Sequence, residues 1–334
     1  MLNIFIGFAC NLNCSYCLQA GEEDRTGSPR LRIDLFLERV VPIIKAQKIK
    51  KIAYWGGEPL LYWKHIKKIH DALLNEGLEF DFIKITTNGT LLDQEHVDDC
   101  NRWGAFVIVS RHKAFGTPKW EFVRKINYFS YSHVVTAREY ILDEFLADLK
   151  NVEWLLMREV SPWINWVHAT KGCSPNEYLS FDNARDHADH LMDLARRLVV
   201  TKDRHLGDMF YGHLAKWRAQ MTRKQFMPKC FGDHQIDIDL EGNRYGCHHN
   251  VNKQTLIGRW EGKVESEKGL DLVHQFVNTD ECKACPIRFW CRGNCHMSQT
   301  HAVDCYLSKR LHEVFTFLDA EWEPVASNPK FIMT

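Results

Sequence analysis

Apolar runs and helical stretches alternate through the first half of this chain, and that alternation limits the folds open to it. Residues 2–7, 50–55, 82–87, 105–110, 133–137 and 153–160 each read as a strand. Between them, 34–47, 63–75, 93–102, 120–129 and 142–151 carry apolar residues at helical spacing. Asp34 stands where an N-cap belongs, and Gly77 and Gly104 stand where helices stop. Six β–α style units in about 200 residues predict an α/β fold, a parallel sheet wrapped by helices, either barrel-like or doubly wound. In such folds chemistry gathers on the loops that leave the strand ends. The unusual residues fall there: Cys10, Cys14 and Cys17 after the first strand, Gly56, Gly57, Glu58 and Pro59 after the second, and Thr87–Asn88–Gly89–Thr90 after the third. Ser110 closes the fourth strand and Arg138 the fifth, so the topology predicts all five features around one mouth.

Composition removes several classes. The chain has 334 residues, enough for one large domain and a smaller one. Its 43 basic residues balance 43 acidic ones, without the basic excess of a nucleic-acid binder. No apolar run nears the roughly 18 residues of a spanning helix. The apolar start is short and no basic residue precedes it, unlike a signal peptide. Twelve cysteines without an export signal point to a reducing compartment, with cytoplasmic location expected. After about residue 200 the texture changes: 181–198 and 207–221 read as helices, and from Cys230 the chain is rich in Cys, Gly and turn signals. The expected division is 1–200 and 201–334, with a Cys-rich core at 228–310. Within it, a hairpin turns at 241–243 and a final helix covers 308–321.

Cys10, Cys14 and Cys17 form a C-x3-C-x2-C pattern. A structural zinc site wants four ligands and a disulfide framework an even count. Three thiolates on a four-iron cluster leave one iron open to a substrate or cofactor. With the Gly-Gly-Glu-Pro turn beside it, this motif resembles that of the radical S-adenosylmethionine enzymes. The resemblance implies that Cys10, Cys14 and Cys17 hold a 4Fe–4S cluster whose open iron is chelated by S-adenosylmethionine. An electron from the cluster then yields a 5′-deoxyadenosyl radical, which abstracts hydrogen. It further implies cofactor contacts at Gly56, Gly57 and Glu58, the glutamate accepting from the methionine ammonium, and at Ser110. Where most relatives have an acidic residue and a glycine after that serine, this chain has Arg111 and His112. Asn88 is a cofactor contact or a turn residue, and Arg138 a contact or a surface charge.

A second set of cysteines follows: Cys230, Cys247, then Cys282, Cys285, Cys291 and Cys295 as C-x2-C-x5-C-x3-C, then Cys305. A pure zinc reading wants paired C-x2-C knuckles, and only one exists. The order resembles the SPASM domain, an auxiliary-cluster extension of radical S-adenosylmethionine enzymes. The implied architecture is a partial (β/α)6 barrel followed by a small Cys-rich α+β auxiliary-cluster domain. It implies three 4Fe–4S clusters in all: one radical cluster and two auxiliary ones. One auxiliary cluster is then held by Cys282, Cys285, Cys291 and Cys305, and the other by Cys230, Cys247 and Cys295. The fourth ligand of the latter stays open among His234, His248, His249, water and a substrate group. Cys100 reads as core. Cys173 is a hydrogen-atom donor or a plain loop cysteine, and Trp163, Trp166 and His168 line a cleft or simply pack.

The auxiliary-cluster family acts mostly on peptides and proteins. The expected function is modification of a ribosomally made peptide by oxidative cross-linking, excision or epimerisation. The alternatives are a small-molecule radical dehydrogenase and a sulfatase-type formylglycine maturase. In the latter an aspartate base stands where this chain has His248. The expected partners are the peptide, an electron donor such as flavodoxin or ferredoxin, and a separate leader-recognition protein, since the chain starts at its first strand. No nucleic acid and no membrane are expected.

Overall fold

The computed structural model describes residues 1–19, 31–112, 115–170, 172–223, 236–246, 256–259, 279–292, 294 and 298–323. In chain order its elements begin with β1 (Leu2–Phe5), α1 (Ile33–Gln47), β2 (Lys51–Trp55), α2 (Trp63–Asn75), β3 (Phe82–Thr87), α3 (Gln94–Trp103), β4 (Phe106–Ser110) and α4 (Trp120–Val123). They continue with β5 (Tyr128–Val135), α5 (Asp143–Leu156), β6 (Ser161–Trp166), α6 (Phe181–Thr201), α7 (Arg204–Arg223), β7 (Ile236–Ile238), β8 (Asn243–Tyr245) and β9 (Leu256–Arg259). The last are α8 (Asp280–Ala284), α9 (Arg288–Cys291) and α10 (His301–Glu321). The α/β class expected from the alternation is the class observed.

Two compact units emerge, Met1–Ser130 with Cys230–Leu272, and Tyr131–Lys229 with Val273–Thr334. This division runs across the expected boundary at residue 200. The reason is strand pairing: in the first unit β1 pairs in parallel with β2 on one side and with β7 on the other. Asn3 Nδ2 donates to Asp237 Oδ1 at 2.6 Å, a buried bond that fixes this register from the polar side. β2–β3 and β3–β4 are also parallel, whereas β7–β8 and β8–β9 are antiparallel. The core lies between this sheet (Leu2, Ile4, Ile52, Tyr54, Ile85) and its helices (Phe36, Val40, Ile44, Ile66, Ile69, Leu73). The hairpin turns where expected. Asp239 Oδ1 accepts from the backbone N–H of Glu241 and Asn243, both at 2.9 Å, and Gly242 sits at φ 77°.

Local differences from the sequence reading have physical causes. Asp34 lies in the first turn of α1 rather than at its cap, which is Arg32. Residues 153–160 are not a strand: the helical stripe Phe145, Leu149, Val152, Leu156 continues, and α5 closes on Met157 at φ 53°. The large apolar residues that suggested a strand, Trp154 and Met157, are 79% and 87% exposed. The sixth strand is instead β6. It carries Pro162, which a strand tolerates at a sheet edge, and β6 ends the strand order beside β5. α4 has only four residues, and β5 begins before the expected 133. The final helix starts at His301, earlier than 308. In the second unit Trp163 stacks on His213 of α7 at 5.1 Å and Trp166 meets the same ring edge-on at 5.2 Å. These half-buried tryptophans therefore pack against α7 of their own unit. Cys100 is core, and burial pushes its thiol up to about 12. Among the described residues, no helix is long and apolar enough to cross a membrane.

A methyl group at Gly242 would meet Arg39 Cβ and Val40 Cγ2 at 3.4 Å, in a left-handed backbone region. Gly242→Ala is expected to lower stability by about 1–2 kcal/mol, read as a lower urea midpoint with unchanged slope.

Candidate functional site

β1 and β2 continue to pair beyond their ends. Ile6 N–H donates to Trp55 O at 2.8 Å, Gly57 N–H to Gly7 O at 2.8 Å, and Glu58 N–H to Ala9 O at 2.9 Å. The Gly-Gly-Glu-Pro turn thus lies flat along the backbone that leads into Cys10. Glycine is required there: a Cβ at Gly57 would stand 2.3 Å from Ala9 O and 2.5 Å from Phe8 O. The Tyr62 hydroxyl accepts from Ala9 N–H at 2.7 Å and holds the same segment from the other side.

Glu58 is buried. Its Oε1 accepts from Leu60 N–H (3.1 Å) and Thr87 Oγ1 (2.6 Å), and its Oε2 from Asn88 N–H (2.8 Å). Burial pushes the carboxyl up to about 7, against the downward pull of these bonds. The sequence reading gave this carboxylate to a ligand ammonium; in the structure three protein donors engage it. Asn88 is likewise engaged by the protein. Its Oδ1 accepts from Thr90 N–H at 2.9 Å and Thr90 Oγ1 at 2.7 Å, and its Nδ2 donates to Asn11 Oδ1 at 2.9 Å. Asn11 Nδ2 donates back to Thr90 Oγ1 at 2.7 Å. Asn11 lies between the first two cysteines, so the turn after β3 braces the cysteine loop.

Cys14 is buried and Cys10 and Cys17 are half-buried. Cys17 N–H donates to Cys14 O at 3.1 Å, and Leu12 N–H to Cys10 Sγ at 3.4 Å. Burial, then the neighbouring Cys17 and Cys10, push the Cys14 thiol up to about 12. Thiols that raise one another in this way ionise when a positively charged iron centre takes their protons' place, which suits an all-thiolate donor set. Among the described residues, no three His, Cys, Asp or Glu side chains converge on a single-ion site. Sequence reasoning missed Tyr16 and gave His112 no role. The structure puts His112 Nδ1 3.5 Å from Cys14 Sγ and 2.5 Å from the Tyr16 hydroxyl. Burial lowers the imidazole to about 4. The available signals were an aromatic inside the cysteine motif and the unusual Arg111–His112 pair after Ser110.

Ser110 ends β4, so the four parallel strand ends of this unit bring Cys10–Cys17, Gly56–Glu58, Asn88 and Ser110 to the same edge of the sheet. The other predicted residues that the structure describes belong to the second unit. Arg138 pairs with buried Glu177, Nε to Oε1 at 3.1 Å, and so neutralises a carboxylate. Cys173 is buried, its thiol 3.6 Å from Ser174 O. Cys282, Cys285 and Cys305 are near neighbours: burial, then Cys285 and Cys282, raise the Cys305 thiol, against the pull of Lys309. Cys291 ends α9. Cys230, Cys247, His248 and Cys295 lie outside the described residues.

Residues 4–112 match the Radical SAM superfamily. A GTP 3′,8-cyclase of Chlorobaculum tepidum is 33% identical over 94 residues, 28% of this chain and 27% of that protein. The radical SAM cyclopropyl synthase TigE of Paramaledivibacter caminithermalis is 30% identical over 125 residues, 33% of this chain and 26% of that protein. The chain thus spans about a quarter of the length of each of these curated relatives. The solved structure of native anSMEcpe with bound AdoMet and Cp18Cys peptide has a TM-score of 0.68 at 17% identity, covering 96% of this chain and 98% of that one. That likeness is one of fold.

Glu58→Gln puts an amide N–H against Asn88 N–H and is expected to cost about 1–3 kcal/mol. The folded protein keeps a proton on Glu58 that the unfolded chain releases above 4.5, so this group's contribution falls as pH rises from 4.5 through about 7. The stability gap between wild type and Glu58→Gln should therefore narrow across that window in urea titrations.

Proposed function

We propose that this chain is a radical S-adenosylmethionine enzyme that modifies a ribosomally made peptide, most simply by oxidation. The observation that carries this reading is the three-thiol loop around buried Cys14, braced between the turns after β2 and β3 in the stretch that matches the Radical SAM superfamily. In this reading Cys10, Cys14 and Cys17 hold a 4Fe–4S cluster, and Gly56, Gly57, Asn88 and Ser110 shape the S-adenosylmethionine site. When bound, the pair supplies the 5′-deoxyadenosyl radical. Glu58 positions rather than binds, since its oxygens accept from Leu60, Thr87 and Asn88. Recognition of the methionine amino group then falls to the backbone carbonyls of the glycine turn.

The peptide substrate and two auxiliary clusters are supported by the cysteine order from Cys230 to Cys305, by the proximity of Cys282, Cys285 and Cys305, and by a fold shared with a protein solved with a peptide. Cys291 completes the first auxiliary set, and Cys230, Cys247 and Cys295 form the second. A flavodoxin or ferredoxin supplies the electron, and a leader-recognition protein presents the peptide. Cys173 donates a hydrogen atom and Arg138 orders the loop after β5 through Glu177. A small-molecule substrate is the second reading, favoured by the stretch shared with the cyclase.

Anaerobic co-expression with the short peptides encoded beside the gene, followed by mass spectrometry, tests the choice. Loss of two hydrogens from one peptide supports oxidative maturation. Unshifted peptides with S-adenosylmethionine still cleaved favour the small-molecule reading. Cys14→Ala should abolish 5′-deoxyadenosine formation, whereas Cys291→Ala should lose product and keep cleavage. Fully loaded protein should carry about 12 irons, four for each of three clusters.

A further inference from the structure

Cys14, Tyr16 and His112 make a polar triangle on the cysteine loop that the function above does not use. Cys14 Sγ lies 3.5 Å from His112 Nδ1, and His112 Nδ1 lies 2.5 Å from the Tyr16 hydroxyl. The Tyr16 hydroxyl also hydrogen-bonds Cys14 and stands 3.4 Å from Arg111 O. Tyr16 is held in place by rings on two sides, His112 stacked at 5.9 Å and Phe115 edge-on at 6.1 Å. The triangle needs the tyrosine between Cys14 and Cys17 and the histidine two residues after Ser110.

An iron-bound thiolate has no hydrogen to give. Attraction within the triangle therefore requires that both hydrogens come from the other two members. The arrangement that satisfies all three atoms puts the imidazole proton on Nδ1, aimed at the Tyr16 oxygen and the sulfur, and leaves the Tyr16 hydrogen for Cys14 Sγ. Cys10 is served differently, by the backbone N–H of Leu12 at 3.4 Å. A hydrogen bond to a ligand sulfur draws electron density from it and stabilises the more negative, reduced state of the cluster.

We infer that His112, acting with the Tyr16 hydroxyl, is a positioning residue that hydrogen-bonds the Cys14 sulfur and makes the cluster on Cys10, Cys14 and Cys17 easier to reduce. This rests on the proposal that those cysteines hold a 4Fe–4S cluster. It adds a reason why the serine here is followed by arginine and histidine rather than by an acidic residue and glycine. A glycine in the place of His112 would bring no donor to the thiolate, whereas the imidazole N–H does, and that favours reduction.

The test is an EPR-monitored redox titration of the reconstituted full chain. The relevant signal is the one that changes on adding S-adenosylmethionine and is missing in Cys14→Ala. His112→Leu removes the donor, and reduction is expected to become about tenfold less favourable, a midpoint lower by about 59 mV for one electron. His112→Asn, which keeps an N–H near the Nδ1 position, should restore most of the shift. Tyr16→Phe should lower the midpoint in the same direction even if His112→Leu proves too unstable to load. His112→Leu and Tyr16→Phe with wild-type midpoints would overturn the inference. Equal loss of iron in His112→Leu and His112→Asn, with no midpoint shift in what remains or in Tyr16→Phe, would show a purely structural histidine and overturn it too. Wild-type protein that takes up no iron on these cysteines would instead overturn the cluster assignment, and this inference with it.

Discussion

The buried carboxylate of Glu58 gathers hydrogen bonds from its own turn and from the start of the loop after β3, and the shape of the cysteine loop descends from that convergence. A carboxylate out of water is costly unless donors surround it. Leu60, Thr87 and Asn88 provide them, so the two loops cannot drift apart without leaving the buried carboxyl unpartnered. Asn88, positioned by its backbone bond to Glu58, then reaches across to Asn11 with its side chain. Two polar steps therefore connect the end of β2 to the cysteines after β1. The glycine backbone forms the parallel route, because Gly57 N–H and Glu58 N–H pair directly with Gly7 and Ala9.

This economy assigns roles differently from a motif-by-motif reading. Residues with polar side chains in the motifs, Glu58 and Asn88, are engaged within the protein. The residues without side chains, Gly56 and Gly57, let the turn lie directly against the backbone of residues 7–9. The same division recurs at the sulfurs, where Cys10 accepts from a backbone N–H and Cys14 from side chains. Loops built this way are stiff before any ligand arrives, which lowers the ordering cost of binding.

Much of the first unit was legible in the sequence because its elements follow simple periods. The helix from Gln94 to Trp103 is bounded by Asp93, which accepts from His96 N–H, and by Gly104 at φ 63°, the glycine read in the sequence as its stop. The hairpin at Gly242 was visible for the same reason. Where the reading slipped, side-chain chemistry and period disagreed. Residues 153–160 are rich in large apolar side chains, yet Trp154 and Met157 face outward while the 3.6-residue stripe ends on Leu156. Pro162 hid the true sixth strand, because a proline argues against a strand unless its edge position is known.

By itself the sequence determined which chemistry was on offer: three thiols in one loop, a glycine turn, a second run of cysteines, and a β–α alternation that brings strand ends together. These follow from residue type and spacing, which are local properties. Only the tertiary structure decided which groups meet. β7 joins β1 although more than 200 residues separate them. His112 reaches Cys14 across 98 positions, and Glu58 turns to Thr87 and Asn88 rather than outward. Pairings of this kind depend on sheet order and on the burial of charge, and neither is written in any short stretch of the chain.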